Sequence, residues 1–368
     1  MDVKVITRHM PSNYGSLLQT LATQKVIERF GHTCSIIDYE RPDERGYQAV
    51  KTALNQKEGW RSNPLKKAVY IALRYPTEAL AERKFDKMRK ELLHLTPLCQ
   101  STEDLSRLKA DVFMTGSDQV WGPMMNGQYD KAYFLDFVRE GQRVSYAGSF
   151  GKTEFTHETI EAYRKMLSRY DALTVREDAA LDMLKEWGLP CKGQVLDPTL
   201  LLTADEWLQM VGEGKAPCKG QYILVYQIHN DPALNAFAKQ LAARQGLPLV
   251  RVSVSLHQIS RGGHLCYLPD LRGFIACIKH CRWMVTDSFH GTAFAINMNK
   301  QFVEVLPKNK TGSRNQSILR LTGLTHRIVS DVSDIQVVDT DIDYEKVNQN
   351  ITKERAKSLA LLKSILSI

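Results

Sequence analysis

Residues 283–305, WMVTDSFHGTAFAINMNKQFVEV, decide the fold of this chain. Two short apolar runs, at 283–285 and 302–305, enclose a polar segment at 286–292 and a run of small residues that favours a helix. This order predicts a strand, a loop, a helix and a second strand. In such a unit the loop after the first strand lies at the carboxyl end of the sheet, where open α/β folds bind ligands. The stretch therefore predicts a parallel α/β unit with a ligand site in its loop.

The polar segment suits an anion. The predicted helix begins near Gly291 or Thr292, so its free N–H groups and the positive end of its dipole point into the loop. His290 stands beside them and can donate a hydrogen bond or a proton near neutral pH. A buried core histidine is the alternative, but the neighbouring Asp287 and Ser288 do not suit an apolar site. We therefore expect an anion site around His290.

The length of 368 residues exceeds the size at which one hydrophobic core usually keeps growing, which predicts two domains. Strand-like and helix-like segments alternate on both sides of residues 202–220, where Gly, Pro and Lys mark a boundary. Such alternation predicts parallel sheets and the α/β class. The predicted parts are a first domain at 1–205, a second domain at 218–340 and a C-terminal helix at 341–368 that packs back on the first domain.

Several protein classes are disfavoured by composition. The first eight residues have too short an apolar run and too much charge for a signal peptide, and no run of eighteen apolar residues predicts a membrane-spanning helix. Seven scattered cysteines without a CxxC pair fit reduced thiols rather than a zinc site. We expect a cytoplasmic protein with no metal and no cofactor.

Basic residues exceed acidic ones, 49 to 41, and the excess is concentrated in one segment. Residues 57–91 contain ten basic and five acidic side chains, with apolar residues at roughly helical spacing. The pattern predicts a basic helical insertion at 57–95, which could lie on an anionic membrane surface. A solvated helical face on its own domain fits equally well. No nucleic-acid motif accompanies the charge, so a nucleic-acid partner is not expected.

Two loops in the first half follow predicted strands and are candidate ligand contacts. Their candidate residues are Asn13, Tyr14 and Gly15 in the first loop, and Ser117, Asp118, Gln119 and Trp121 in the second. Each has a plainer alternative. Asn13 or Asp118 could cap a following helix, and Trp121 could be a core residue rather than a platform for a sugar.

The chain resembles the polysaccharide pyruvyl transferase family. The resemblance rests on motifs in family order: NYGSLLQ at 13–19, GSDQVW at 116–121, YAGSFG at 146–151, VRED at 175–178 with DPTLLL at 197–202, TDSFHGTAFA at 286–295 and SRNQSILRLTGLTHRIV at 313–329. It implies a fold like that of GT-B glycosyltransferases, with two Rossmann-like domains facing across a cleft. It also implies phosphoenolpyruvate as the donor substrate and a saccharide as the acceptor.

The resemblance also implies roles for the candidate residues. His290 is the expected proton donor, and Asp118 the expected base for the attacking hydroxyl. The residues expected to bind phosphoenolpyruvate are Ser288, His290, Gly291, Thr292, Arg314 and Arg176, and the two loops of the first half would contact the acceptor. For Arg176 an ion pair with Asp178 or Asp171 is the structural alternative.

One position departs from the family pattern. A basic residue often stands directly before the motif histidine, whereas this chain has Phe289 there. Phosphate binding must then use Arg314, the amino end of the helix, or another basic residue. The other basic candidates are Arg251, Lys308 and Arg320.

The expected activity is therefore addition of a pyruvate ketal, 4,6-linked on a galactose-type hexose of a lipid-linked oligosaccharide, for capsular or exopolysaccharide biosynthesis. The expected place is the cytoplasmic side of the plasma membrane. A nucleotide-sugar glycosyltransferase and a non-catalytic saccharide-binding protein are the alternatives, because fold alone excludes neither. The sequence leaves a homo-oligomer open.

Overall fold

The computed structural model describes residues 1–41, 44–55, 58–124, 127–229, 231–306 and 312–367. The chain forms two compact units. Unit 1 comprises Met1–Phe150, Phe155–Thr174 and Trp187–Lys192, and unit 2 comprises Gly151–Glu154, Val175–Glu186 and Gly193–Ile368. Among the described residues, no helix has the length and apolar composition needed to cross a membrane.

Unit 1 is built on a parallel sheet with the strand order β2-β1-β3-β4. All four residues of β3 are buried, as expected for a central strand that is covered on both faces. The strand order reverses between β1 and β3, so the loops after these two strands lie side by side. The elements are β1 Asp2–Ile6, α1 Tyr14–Arg29, β2 Thr33–Ile36, α2 Gly46–Asn55, α3 Glu58–Arg61, α4 Pro64–Leu92, α5 Thr102–Ser106, β3 Val112–Thr115, β4 Gln142–Ser145 and α6 His157–Leu167, followed by the short strand β5 Thr174–Val175 at the edge of the unit.

Unit 2 contains a wider parallel sheet with the order β12-β11-β10-β7-β8-β9. Its strands β7, β10 and β11 are buried at every residue. The order reverses between β7 and β10. The elements are α7 Asp178–Glu186, β6 Gly193–Gln194, α8 Ala204–Val211, β7 Ile223–Tyr226, α9 Pro232–Gln245, β8 Leu249–Ser253, β9 His264–Tyr267, α10 Leu271–Lys279, β10 Trp283–Thr286, α11 Phe289–Asn297, β11 Gln301–Val305, α12 Ser313–Thr322, β12 Ile328–Val329 and α13 Tyr344–Ile365.

Short 3₁₀ helices connect some of these elements. They span Lys131–Phe134 in unit 1, and Pro198–Leu200, Leu256–Arg261, Thr325–Arg327 and Val332–Asp339 in unit 2. The sequence predicted a loop at 257–264 and missed β9, an edge strand that is only half-buried and directly follows a glycine-containing loop.

The predicted basic insertion is helical. Asn63 begins α4 by accepting hydrogen bonds from the N–H groups of Leu65 at 3.0 Å and Lys66 at 3.1 Å, and Pro64 occupies the first helical position, which suits proline. Lys57, the first residue of the predicted segment, lies outside the described residues.

The division between the units differs from the predicted boundary at 202–220. Residues 175–186 and 193–201 belong to unit 2 because their backbone is bonded to its helices. The N–H of Leu196 donates to Ser358 Oγ of α13 at 2.9 Å. Arg355 of α13 donates to the carbonyl of Leu200 at 2.7 Å. The C-terminal helix thus packs on a segment that the sequence assigned to the first domain and that the structure places in unit 2.

Candidate functional site

The loops after β7 and β10 meet where the strand order of unit 2 reverses. Asp287, which follows β10, accepts hydrogen bonds from the N–H of Ile228 at 2.7 Å and of His229 at 2.9 Å, and both donors follow β7. Asp287 is almost fully buried. It therefore fixes both loops at the position where doubly wound sheets bind ligands.

The helix α11 begins at this place, two residues earlier than the sequence predicted. Ser288 is its cap: the N–H of Gly291 donates to Ser288 Oγ at 3.2 Å, and the N–H of Thr292 donates to the Ser288 carbonyl at 2.9 Å. The expectation that Gly291 and Thr292 present free N–H groups to an anion is therefore corrected. Within the described residues, the first-turn N–H groups left for an anion are those of Phe289 and His290.

Gly291 has a packing role instead. A Cβ atom at this position would clash with Thr286 Oγ1 and would lie 3.0 Å from the ring of Tyr226. The absence of a side chain lets α11 approach the ends of β7 and β10 closely. His290 is thereby held at the carboxyl edge of the sheet.

His290 and Arg176 share one buried carboxylate. Arg176 Nη1 donates to Asp197 Oδ2 at 2.9 Å, and Arg176 Nε donates to Glu177 Oε1 at 2.8 Å. His290 Nε2 lies 3.7 Å from the same Asp197 oxygen, which is longer than a hydrogen bond. The Arg176 and Asp197 side chains are 1% and 0% exposed, whereas that of His290 is 9% exposed.

Asp197 supplies a fixed negative charge to this cluster. Burial acts to raise the pKa of Asp197, but the charges of His290 and Arg176 and a bond from Thr199 outweigh it and hold the pKa well below the usual range. Thr199 contributes its N–H at 3.0 Å and its hydroxyl at 2.7 Å to Asp197 Oδ1. The carboxylate is therefore ionised wherever the protein is folded at ordinary pH. It bonds to Arg176 and faces the imidazole of His290.

Phe289 occupies a defined place in the same cluster. The guanidinium carbon of Arg176 lies 4.3 Å from the centroid of the Phe289 ring, within the range of a cation–π contact. The aromatic residue therefore supports an arginine from another segment, at the position where the family pattern often has a basic side chain.

The alternative of an ion pair between Arg176 and Asp178 or Asp171 was wrong, because Arg176 bonds to Glu177 and Asp197. Asp178 instead accepts two hydrogen bonds from Arg320, at 2.9 Å and 2.7 Å. Asp171 accepts the N–H of Arg143 at 2.8 Å. The arginine Arg320, a candidate for phosphate binding, is thus already paired with Asp178.

Sequence reasoning missed a second buried carboxyl group, Glu304 on β11. Its side chain accepts hydrogen bonds from the hydroxyl of Thr292 on α11 and from the side-chain amide of Asn315 on α12. Burial raises the pKa of Glu304 well above its usual range, and the two hydrogen bonds only partly offset this effect. An acidic residue inside the apolar run 302–305 was the signal that could have identified it. Glu304 ties the two helices that carry His290 and Arg314.

Arg314 lies in the first turn of α12, beside Asn315. It is 8% exposed, and its positive charge acts on the carboxyl group of Glu304. Lys308, another candidate, lies outside the described residues. Arg251 is engaged by the carbonyl of Gly262 at 2.7 Å and by Asn235, and burial, with a smaller effect of Arg261, lowers the pKa of Arg251 to about 10. Among the described candidate cations, Arg176 contacts Phe289 of α11, and Arg314 lies on α12, which packs against α11.

Unit 1 has a second polar cluster where its strand order reverses. Asp118, after β3, adopts a φ of +76°, which is uncommon for a residue with a side chain. Its Oδ2 accepts the hydroxyl of Ser16 at 3.0 Å, and its Oδ1 accepts the N–H of Gln119 at 2.8 Å. Residues 119–124 form turns rather than a helix, so the alternative of a helix cap is wrong for Asp118.

The other residues predicted to contact the acceptor either cap a helix or are buried in the core. Asn13 caps α1 by accepting the N–H of Ser16 at 3.2 Å, and it is half-buried. Tyr14 is fully buried, with its ring 5.0 Å from that of Phe85, and Gly15 is also buried.

The loop after β3 is similar. Ser117 is buried, and its carbonyl accepts the Thr7 hydroxyl at 2.7 Å, while Gln119 is half-buried. Trp121 is fully buried and packs on Phe150 at 5.1 Å. Its predicted role as a platform for a sugar is therefore corrected to a core role.

Each unit thus contains a polar cluster of its own. Within the described residues, no three His, Cys, Asp or Glu side chains group as metal ligands would. In unit 2 the cluster brings together Arg176, Ser288, His290, Gly291 and Thr292, with Arg314 on the adjoining helix. In unit 1 the cluster around Asp118 includes Ser16 and adjoins Asn13.

Solved structures similar to this chain include sugar-nucleotide epimerases. UDP-N-acetylglucosamine 2-epimerase from Neisseria meningitidis, solved with UDP-N-acetylglucosamine, is 14% identical with a TM-score of 0.57, covering all of both chains. The epimerase from Rickettsia bellii is 12% identical, with a TM-score of 0.51, covering 100% of this chain and 96% of that one. At this identity the likeness shows the fold alone, which is the GT-B class with Rossmann-like domains.

The family is shown by a different comparison. A search among curated proteins finds no match. Residues 13–307 match the family model of polysaccharide pyruvyl transferases. This range includes both polar clusters except for the residues on α12. The chain therefore belongs to the polysaccharide pyruvyl transferase family.

Proposed function

We propose that this protein transfers pyruvate from phosphoenolpyruvate to a hexose of a lipid-linked oligosaccharide. The proposed product is a 4,6-ketal on galactose, made for capsular or exopolysaccharide biosynthesis. One observation carries the proposal: Arg176 and His290 are held against a single buried carboxylate, Asp197, at the amino end of α11. Such an arrangement offers both a cation for an anionic donor and a group that can move a proton.

Phosphoenolpyruvate carries a phosphate and a carboxylate, so its site needs several donors of positive charge. Arg314 can form paired hydrogen bonds with an oxyanion. Arg176, which already bonds to Asp197 and Glu177, would add positive charge beside it. The N–H groups of Phe289 and His290 add the positive end of the α11 dipole. Ser288 places a hydroxyl at the same edge of the sheet.

The chemistry requires a proton at the methylene carbon of the donor. In the proposed reaction His290 gives this proton, the methylene becomes a methyl group, and C2 gains oxocarbenium character. The oxygen of one acceptor hydroxyl then bonds to C2. The bond from C2 to the phosphate oxygen breaks, inorganic phosphate leaves, and a second hydroxyl oxygen bonds to C2. Of the two hydroxyl protons, one restores His290, and the other is taken up by a base and then released with the phosphate.

Asp118 is the proposed acceptor of a hydroxyl proton, and the cluster around it in unit 1 is the proposed contact for the saccharide. The Asp118→Asn change removes the charge and keeps a residue that tolerates positive φ. We expect turnover to fall by about 10²- to 10⁴-fold, the usual contribution of a general base, with unchanged binding of phosphoenolpyruvate. Unchanged turnover in steady-state assays would remove Asp118 from this role.

The experiment that tests the proposal is incubation of the purified protein with phosphoenolpyruvate and a panel of lipid-linked galactosyl and mannosyl acceptors. Phosphate release and acceptor mass are followed together. We expect phosphate release only with a galactosyl acceptor, matched by the mass gain of one ketal. A mannosyl acceptor that reacts instead would overturn the proposed sugar but retain the reaction.

A nucleotide-sugar transferase is separated from this proposal by thermal stability. A ligand that binds the folded state raises its melting temperature. We expect phosphoenolpyruvate to raise that temperature and uridine diphosphate to leave it unchanged. The opposite result would favour a nucleotide-sugar donor.

A further inference from the structure

The outer face of α4 in unit 1 carries an apolar stripe. Leu65, Val69, Leu73 and Leu80 are 74%, 43%, 72% and 52% exposed. Their spacing of four, four and seven residues places them on one side of the helix. Single exposed leucines are ordinary on protein surfaces, but a stripe along more than four turns of one helix is not.

The stripe is distinct from the face by which α4 is anchored. Ala81, Phe85 and Met88 are the buried apolar residues of its C-terminal half, and the Phe85 ring packs 5.0 Å from that of Tyr14. At 100° per residue, these positions lie on the opposite side of the helix from the stripe. The apolar residues thus change faces along α4, and only the C-terminal set serves the core of unit 1.

Positive charge continues the exposed stripe. Arg83, Lys87 and Lys90 follow Leu80 at steps of three, four and three residues, so they lie on the same side, and all three are exposed. Together with Arg45 they line an open groove beside α4, which also contains acidic side chains. These acidic residues are Glu82, Asp86 and Glu91.

Two features favour an anionic lipid surface as the partner. Leucine side chains can enter the boundary between headgroups and acyl chains while long basic side chains reach anionic headgroups. A second copy joined through the same face would find the acidic side chains of the groove already engaged within its own chain. Asp86 bonds to Arg45 and Arg89, Glu82 accepts the N–H of Gly46, and Glu91 lies 3.8 Å from Lys87.

We propose that the stripe Leu65, Val69, Leu73 and Leu80, with Arg83, Lys87 and Lys90, docks the protein on an anionic lipid bilayer. Binding places α4 along the membrane surface, with its apolar face in the headgroup region and its basic end against anionic lipid. None of these residues belongs to either polar cluster, and the proposal does not depend on the reaction proposed above.

Sedimentation with vesicles tests the proposal. Phosphatidylcholine vesicles are compared with vesicles that also contain phosphatidylglycerol, at low and at high salt. We expect the protein to pellet with the anionic vesicles at low salt, and high salt to release part of it. The double variant Leu65→Glu with Leu73→Glu should bind at least about tenfold more weakly. The double variant Lys87→Glu with Lys90→Glu should bind at least about 30-fold more weakly, since each basic residue contributes about 1 kcal/mol near such a surface.

The matched control is Ile259→Glu in unit 2, because Ile259 is 62% exposed and lies outside the stripe. It should bind vesicles like the unchanged protein, and all variants should keep the same melting temperature. Failure of the unchanged protein to pellet with anionic vesicles at low salt would overturn the proposal. A dimer in light scattering that the Leu65 and Leu73 changes dissociate, without vesicle binding, would assign the stripe to a second copy instead.

Discussion

The guanidinium carbon of Arg176 lies 4.3 Å from the centroid of the Phe289 ring, and the same guanidinium bonds to Asp197. Phe289 and His290 are consecutive residues at the start of α11, so one turn of helix presents a support for Arg176 and a titratable imidazole together. The residue that departs from the family pattern is thus part of the candidate donor site through the arginine that it supports.

The Phe289→Leu change should weaken binding of phosphoenolpyruvate. Leucine keeps an apolar side chain but has no π face, and a partly buried cation–π contact contributes about 0.5–2 kcal/mol. We expect a Michaelis constant for phosphoenolpyruvate raised by about 2- to 30-fold, measured in steady-state assays.

The control for this change is Phe294→Leu in the same helix. Phe294 is buried and packs on Trp207, with ring centroids 5.3 Å apart, away from Arg176. It should cost stability without changing the Michaelis constant. An equal effect of the two changes on donor binding would show that Phe289 acts only through the packing of α11.

His290→Gln should affect turnover more than donor binding. Glutamine can still donate a hydrogen bond but cannot transfer a proton near neutral pH, and a general acid contributes about 10²- to 10⁴-fold to rate. We expect turnover to fall within this range while the dissociation constant for phosphoenolpyruvate, from titration calorimetry, changes little. The exposed His264 provides the control variant His264→Gln. A large loss of affinity with unchanged turnover would make His290 a binding residue alone.

Arg314→Ala should weaken donor binding by about 1.5–3 kcal/mol, the usual contribution of a hydrogen bond to a charged group. Arg320→Ala is the matched control, since this arginine lies on the same helix and pairs with Asp178 at the surface. We expect the Michaelis constant for phosphoenolpyruvate to rise only in the first variant. Unchanged kinetic constants for Arg314→Ala would remove it from the site.

Glu304 should make stability depend on pH with a defined sign. Its folded-state pKa is raised, so between the unfolded pKa and the folded pKa the native protein holds more protons than the unfolded chain. The free energy of unfolding must therefore fall as pH rises through this window. The Glu304→Gln variant keeps both hydrogen-bonding partners but has no carboxyl group to titrate. Its free energy of unfolding should therefore not show this decline with pH.

The measurement is urea unfolding from about pH 5 to about pH 8, above the ordinary pKa of a glutamate. The exposed Glu103 gives the control Glu103→Gln, which should keep the pH dependence of the unchanged protein. If Glu304→Gln and the unchanged protein decline in parallel, Glu304 is ionised in the folded state and the assigned sign is wrong.

The sequence predicted most of the fold because parallel strands in a covered sheet need apolar runs. The runs at 112–115, 223–226 and 283–286 are such strands, and each was recognised to within two residues. The boundary between the units was harder to predict. Residues 193–201 belong to unit 2 through hydrogen bonds to α13, which lies more than 140 residues further along the chain.

The candidate site was predicted in part for similar reasons. His290 and Arg176 were found from motifs, but the carboxylate between them, Asp197, was seen only as part of a motif and given no role. Its position depends on a loop that meets α11 in space. Ser288 caps α11, so the helix begins two residues earlier than predicted. The N–H groups of Gly291 and Thr292 therefore bond to Ser288 and are not presented to an anion.

The central claim is tested most directly by running the reaction in deuterated water with phosphoenolpyruvate and a lipid-linked galactosyl acceptor. The product is analysed by mass spectrometry and the released phosphate is counted. We predict one phosphate per ketal, and a ketal methyl group that carries a single deuterium from solvent, because the donor methylene must gain a proton. Intact phosphoenolpyruvate with an acceptor of unchanged mass, or a ketal methyl group without deuterium, would contradict the account.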